Sequence, residues 1–245
     1  MAQADQSVVK DLAPTGTLRV GLNMSNFLLT RTEGDGTPAG VAPDLGRELA
    51  RRLGVPVQLV PFPNPGVLAD AAKTGVWDVG FLGAEPQRAN EIDFTAAYVE
   101  IEATYLVPPG SKITAVDEVD REGIRIAVPD RAAYELYLSR NIKHAQLVRE
   151  KGADNAFKRL VDDKLDALAG LRPRLVTDHA NLPGSRILDG RFTAVQQAAG
   201  APKGRSAASV QYLREFIEDI KASGLVAKTI EKNKVVGLTV AAAAK

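Results

Sequence analysis

Arg88 follows Glu85-Pro86-Gln87, directly after an apolar run, Val76 to Leu82, of strand length. An arginine where a strand ends and a helix begins is set to take an anion. Its guanidinium forks onto a carboxylate through two parallel hydrogen bonds, and the N–H groups of the helix start add to the attraction. The same residue could instead pair on the surface with Glu85 or Glu91. Phe27 closes the segment Asn23-Met24-Ser25-Asn26-Phe27, also just after a strand-like stretch. An aromatic there forms either a pocket wall or part of the core. Gly34-Asp35-Gly36 and Gly40 lack the G-x-G-x-x-G spacing, and no Walker-type Gly-Lys-Ser/Thr is present. They read as a hairpin turn, not a phosphate cradle.

Catalytic constellations are poor. The chain has no cysteine and two histidines, His144 and His179, which excludes disulfides, thiolate chemistry and a histidine-rich metal site. Neither histidine stands near a Gly-x-Ser-x-Gly elbow. His179, in Thr177-Asp178-His179-Ala180-Asn181, reads as a solvated helix end, and His144 as a loop residue. The carboxylates Asp162 and Asp163 read as a helix surface, and Glu100 and Glu102 would share one strand face. A buried Glu102 could act as a general acid; an exposed one would not. No catalytic residue, metal site or cofactor is expected. With 31 Lys+Arg against 30 Asp+Glu the net charge is +1, which argues against a nucleic-acid partner.

These residues need a scaffold. At 245 residues the chain is one large domain or two smaller ones, and 45% hydrophobic with 25% charged residues is ordinary for a globular protein. Thr17 to Leu22 alternates as a half-buried strand. A helix opens at Pro43-Asp44, carries Leu45, Leu49 and Leu53 on one face, and stops at Gly54. An alternating strand over 56–62, a short helix over 66–73, a strand over 76–82 and a brief helical turn over 86–90 follow. A strand over 103–107 closes at Pro108-Pro109-Gly110, and the rhythm restarts. Helices are predicted over 117–122, 131–140, 154–164 and 173–179, with strands over 124–128, 145–148 and 167–169 between them. Extended segments at 187–188 and 192–196 lead to an amphipathic helix over 209–223 and a second over 226–232. Strands alternating with helices imply βαβ crossovers, a largely parallel sheet and an α/β fold with two lobes. Open parallel sheets bind ligands at the carboxyl ends of their strands, and with two lobes the natural site is the cleft between them.

No apolar run reaches the roughly 18 residues a membrane span needs. The start, Met1-Ala2-Gln3-Ala4-Asp5, has no apolar signal region, although Ala2-Gln3-Ala4 has the look of a cleavage-site remnant.

Taken in order, these segments resemble the type-3, polar amino acid type of periplasmic solute-binding protein, the receptors of ABC transporters. The matching stretches are Leu18-Arg19-Val20-Gly21, Gly36 to Gly40 with Asp44-Leu45, Asp78 to Leu82, Pro86-Gln87-Arg88, and Ile92 to Thr95 with Tyr98. Ile124 to Val128, Leu165 to Leu168, Ala201 to Gly204 and Ile220 to Leu225 continue the set. The resemblance implies two α/β lobes, 1–106 with 194–245 and 107–193, joined by hinge strands near Tyr105–Pro109 and Leu188–Ala194. It places Arg88 where the family's ligand-carboxylate arginine sits and Phe27 where an aromatic packs on the ligand. Asn26, Leu82, Gly83, Ala132, Ala133, Tyr134, Leu171, Arg172 and Gln197 complete the expected ligand contacts.

The departures bear on the ligand. Glu85 replaces a usual threonine, and Asp130-Arg131-Ala132-Ala133-Tyr134 lacks the hydroxyls that often hold ligand in the second lobe. The aspartate that takes a ligand's α-ammonium should stand about five residues after Asp166; Leu171 is there, followed by Arg172. An ammonium without a counter-charge would be costly to desolvate. The expected ligand is a small carboxylate, amino-acid-like or an organic acid, and the missing counter-charge favours one without a conventional α-amino group. The implied function is non-enzymatic: a monomeric periplasmic receptor that closes on ligand and delivers it to an ABC permease. The alternative is an enzyme on the same scaffold, resembling the cyclohexadienyl dehydratases.

Overall fold

The computed structural model describes residues 4–244. The Met1, Ala2 and Gln3 of the cleavage-like start lie outside the described residues. Asp5 accepts from the Ser7 N–H and so starts α1 (Gln6–Leu12), a helix the sequence pattern does not announce. Next come β1 (Leu18–Asn23) and the two-stranded hairpin β2 (Arg31–Thr32) and β3 (Pro38–Ala39) around the Gly34–Gly36 turn. Then follow α2 (Val41–Leu53), β4 (Val57–Phe62), α3 (Pro65–Asp70), β5 (Val79–Gly83) and the long β6 (Ile92–Val107). The chain continues through β7 (Arg125–Pro129), α4 (Ala133–Asn141), β8 (Gln146–Glu150), α5 (Ala153–Asp162), β9 (Ala167–Leu171), α6 (Arg172–Ala180) and β10 (Arg186–Ile187). It ends with β11 (Thr193–Pro202), α7 (Ala207–Ala222), α8 (Leu225–Lys232) and β12 (Thr239–Val240). Among the described residues no helix is long and apolar enough to cross a membrane.

The chain forms two compact units. One runs up to Glu100 and resumes at Gln196; the other is Ile101–Val195. The change-overs lie inside β6 and β11, where the sequence reading puts the joints at 106/107 and 193/194.

In the first unit the strand order is β4-β1-β5-β11-β6, with β12 on β6. β4, β1 and β5 run parallel; β11 is antiparallel to β5. Leu45, Leu49 and Leu53 of α2 are all buried, as their spacing demands, and each such side chain contributes about 1.5–3 kcal/mol. Gly46 lets α2 press onto β1, since a Cβ there would stand 2.8 Å from Val20 Cγ1. Gly54 stops the helix in the left-handed region, φ 70°. A buried ion cluster ties the unit together. The fully buried Asp78 carboxylate accepts from Arg19 N, Nε and Nη2 and from Arg205 Nη2.

In the second unit the order is β6-β9-β7-β8, with β10 on β6. β9, β7 and β8 are parallel, and β6 is antiparallel to β9. Its core gathers Tyr105, Ile126, Val128, Tyr134 and Leu138.

Three of the expected elements take other bounds, for physical reasons. β6 begins eleven residues before the expected Ala103, because Asp93, Glu100 and Glu102 occupy half-exposed positions of one continuous strand. β11 runs on through Gln197-Ala198-Ala199-Gly200, a stretch poor in β-branched residues, because pairing with Phe81 and Gly80 overrides weak local preference. The expected helix over 117–122 shrinks to one tight turn, Val116–Glu118. There the Glu118 carboxylate accepts from the N–H groups of Thr114 and Ala115.

Candidate functional site

In the first unit β1 and β5 are adjacent and parallel, with Leu22 opposite Phe81, so their exit loops lie at one sheet edge. The loop after β1 is tied by its own polar groups. Asn23 Oδ1 accepts from Ser25 N, Asn26 Oδ1 from Leu28 N, and Thr30 Oγ1 donates to the Asn23 and Asn26 carbonyls. Asn26 is thereby buried, while Phe27 is 51% exposed beside the buried Leu28 and Leu29. Of the two uses open to Phe27, the core is not the one adopted.

The strand β5 is buried throughout and ends at Gly83, opposite the buried Gln197 of β11. Leu82 turns its side chain into the core with Leu68, Trp77 and Ile92, so only its backbone is at the strand exit. A turn follows in which the Glu85 carbonyl accepts from the N–H groups of Arg88 and Ala89. Arg88 is 5% exposed, and its Nη1 donates to the Gly83 carbonyl at 2.7 Å. The cation is thus folded onto the carboxyl end of its own strand. It is not splayed on the surface.

In the second unit β7 and β9 are adjacent and parallel, so the segments after Pro129 and Leu171 share an edge. Asp130 N donates to the Glu150 carbonyl, and Arg131 stands in the left-handed region at φ 58°. Ala132 caps α4 without a side-chain hydrogen bond. Ala133 and Tyr134 point into the core, and burial pushes the Tyr134 hydroxyl pKa up. Leu171 is half-buried at the start of α6, and no acidic residue occupies that helix's first turn. Arg172 Nε donates to Glu102 Oε2 at 2.9 Å, its Nη2 donates to the Gly190 carbonyl, and Arg191 Nη1 reaches Glu102 Oε1 at 3.5 Å. Glu102 is therefore a charge partner of two arginines, with its side chain 45% exposed. That pairing has no sequence signal, because it joins residues seventy positions apart.

Two further groups carry no mark in the sequence. Glu135 is 3% exposed and collects bonds from Arg131 N, Ser139 Oγ and Arg149 Nε. Asp178, buried on α6, has its carboxyl pKa raised by that burial against the opposing pull of Arg174. His179 Nδ1 lies 3.0 Å from Ser185 Oγ at the end of α6 remote from Leu171, and His144 is exposed. Among the described residues no cluster of three or more His, Asp or Glu is arranged to hold a metal ion.

Solved structures share this fold. The ancestral amino acid-binding protein AncCDT-1, described as a precursor of cyclohexadienyl dehydratase, superposes with a TM-score of 0.74 at 22% identity, over 92% of this chain and 98% of that one. A binding component of an ABC transporter from Wolinella succinogenes DSM 1740, complexed with lysine, gives 0.75 at 22% identity over 90% and 96%. An amino acid ABC transporter substrate-binding protein from Streptococcus pneumoniae, bound to L-arginine, gives 0.73 at 21% identity over 96% and 100%. Among curated proteins the L-cystine-binding protein TcyJ of Escherichia coli K12 is 25% identical over 167 residues, 67% of this chain. The match takes in 62% of that relative's length. The fold class is thus the two-lobed α/β type of periplasmic binding protein. The sequence model of the bacterial extracellular solute-binding proteins, family 3, matches residues 18–234, and this chain belongs to that family.

Proposed function

We propose that the chain is a non-catalytic, monomeric receptor that captures a small carboxylate-bearing solute in the periplasm and hands it to an ABC permease. The observation that carries this reading is Arg88, buried at the carboxyl end of a parallel strand with its guanidinium against Gly83. Open sheets bind ligands at that edge, and a guanidinium fork fits a carboxylate. Phe27, exposed on the neighbouring loop, supplies an apolar face, and Asn26, Gly83 and Gln197 are the further contacts this reading assigns. In the second unit the strand-exit turn at Ala132–Ala133 offers the backbone of the α4 start.

The relatives bind amino acids, yet the charges here favour an acid without an α-ammonium group. Leu171 offers no counter-charge, and Glu102, the chain neighbour of Leu171's strand partner Ala103, already serves Arg172 and Arg191. Titration calorimetry with L-cystine, L-lysine and L-arginine against succinate and glutarate tests the reading. Binding of the acids, abolished in Arg88→Ala, is expected. Tight binding of the α-amino acids alone would overturn the ligand class, and undiminished binding in Arg88→Ala would move the site. Turnover of prephenate, followed by ultraviolet absorbance, would overturn the receptor-only role.

A further inference from the structure

We infer that Glu135 is a positioning residue that holds the turn between β7 and α4 in its binding conformation; this rests on the proposed use of Ala132–Ala133 as a ligand-contacting segment. Three observations meet at this point. First, Arg131 adopts φ 58°, a conformation that disfavours any side chain bulkier than glycine's hydrogen. A residue persists there only when its surroundings over-determine it. Second, α4 lacks a side-chain cap at Ala132, so no side chain at the helix start holds the turn. Third, it is fixed from behind. Glu135 Oε2 accepts from Arg131 N at 3.1 Å, while Oε1 accepts from Ser139 Oγ at 2.6 Å and Arg149 Nε at 2.8 Å. Arg149 Nη2 in turn donates to Ser139 Oγ at 2.8 Å, closing the network.

The carboxylate is 3% exposed, so its position is set by these partners and not by solvent. Arg149 and Ser139 hold one oxygen, which leaves the other aimed at the backbone of the strained residue. The strain of Arg131 and the burial of Glu135 explain one another. The clamp keeps the peptide after Pro129 turned so that the first N–H groups of α4 point out along the helix axis toward an anion.

The test combines amide hydrogen exchange on the free protein with calorimetry, using succinate and L-arginine as probes. In Glu135→Gln, exchange of amides 131–135 should rise about tenfold, and the bound probe should weaken by a similar factor. Peptides of α5 should be unchanged. Adding Arg131→Gly to Glu135→Gln should restore both readouts, because glycine holds this φ without a clamp. A general packing role would not be rescued that way. Should Glu135→Gln fold poorly, Glu135→Leu with Arg149→Leu removes both partners of the ion pair, so that neither charge is left without its counter-ion, and should show the same two losses. Unchanged exchange at 131–135, or no rescue by glycine, would overturn the inference. If neither probe binds the wild-type protein, the proposed ligand class fails, and the exchange arm still decides the role of Glu135.

Discussion

Arg172 Nε donates to Glu102 Oε2 at 2.9 Å, tying the first residue of α6 to the strand paired with β9. The pair is partly exposed, so its contribution to stability is small, about 0–1 kcal/mol. Its consequence is for charge. With Arg191 also on Glu102, two cations face one carboxylate beside Leu171. Replacing both arginines, Arg172→Ala with Arg191→Ala, should release Glu102 as a counter-ion for an ammonium. Calorimetry with L-arginine should then show affinity raised at least severalfold over wild type, with melting temperature little changed. No gain would mean that Glu102 does not set this preference.

Arg88→Lys keeps the charge but removes the fork. Exchanging two parallel hydrogen bonds to a carboxylate for a single ammonium should cost about 3 kcal/mol, on the order of 100-fold in affinity. Arg88→Ala should abolish the ligand-induced rise in melting temperature. A lysine variant that binds like wild type would show that Arg88 acts as a point charge only.

Asp78 is a matter of stability and not of binding. Its removal strands Arg19 and Arg205, whose side chains are 20% and 17% exposed. Asp78→Ala should destabilise by about 3–5 kcal/mol in urea unfolding. A change below about 1 kcal/mol would show that solvent relieves both guanidinium groups.

Tyr98 offers the opposite case. It is fully buried, and its hydroxyl has no hydrogen-bond partner among the described residues. Tyr98→Phe should leave stability unchanged or raise it by about 1 kcal/mol, since it removes an unsatisfied polar group at nearly constant shape. A clear drop in urea unfolding would show that the hydroxyl is served in solution.

Acid unfolding should run partly through Glu48. Hydrogen bonding to Arg51, aided by Arg52 and opposed by burial, holds its carboxyl pKa down to about 2. A depressed folded value gives stability that is present above the ordinary carboxylate range and lost as pH falls toward 2. Glu48→Gln should flatten that limb of the stability profile. Asp178 has the reverse sign: its raised value favours the fold at low pH, and that contribution fades as pH climbs through it. An unaltered acid limb in Glu48→Gln would assign it to other carboxylates.

Much of the scaffold is legible in the sequence because its signals are local. Leu45, Leu49, Leu53 and Gly54 announce α2 within ten residues, and Val210 to Ile220 does the same for α7. Arg88 is placed by its neighbours, the apolar run before it and Pro86 beside it. What stays hidden depends on residues far apart in the chain. The reach of β11 past Gln196 comes from β5, more than a hundred positions earlier. The pairing of Glu102 with Arg172 is set by the β6–β9 register. The conformation of Arg131 comes from a carboxylate one helical turn ahead that looks, in sequence, like any surface glutamate.

The place of β11 between β5 and β6 has a consequence for the order of assembly. The unit that begins the chain cannot complete its sheet until residues 196–202 have been made. By the time those residues emerge from the ribosome, the whole of Ile101–Val195, a contiguous stretch, has emerged before them. Synthesis therefore lets the inserted unit finish first, reversing the usual precedence of amino-terminal domains. Until β11 arrives, the edge of β5, the strand that leads to Arg88, stands unpaired, which leaves the nascent chain open to wrong strand partners.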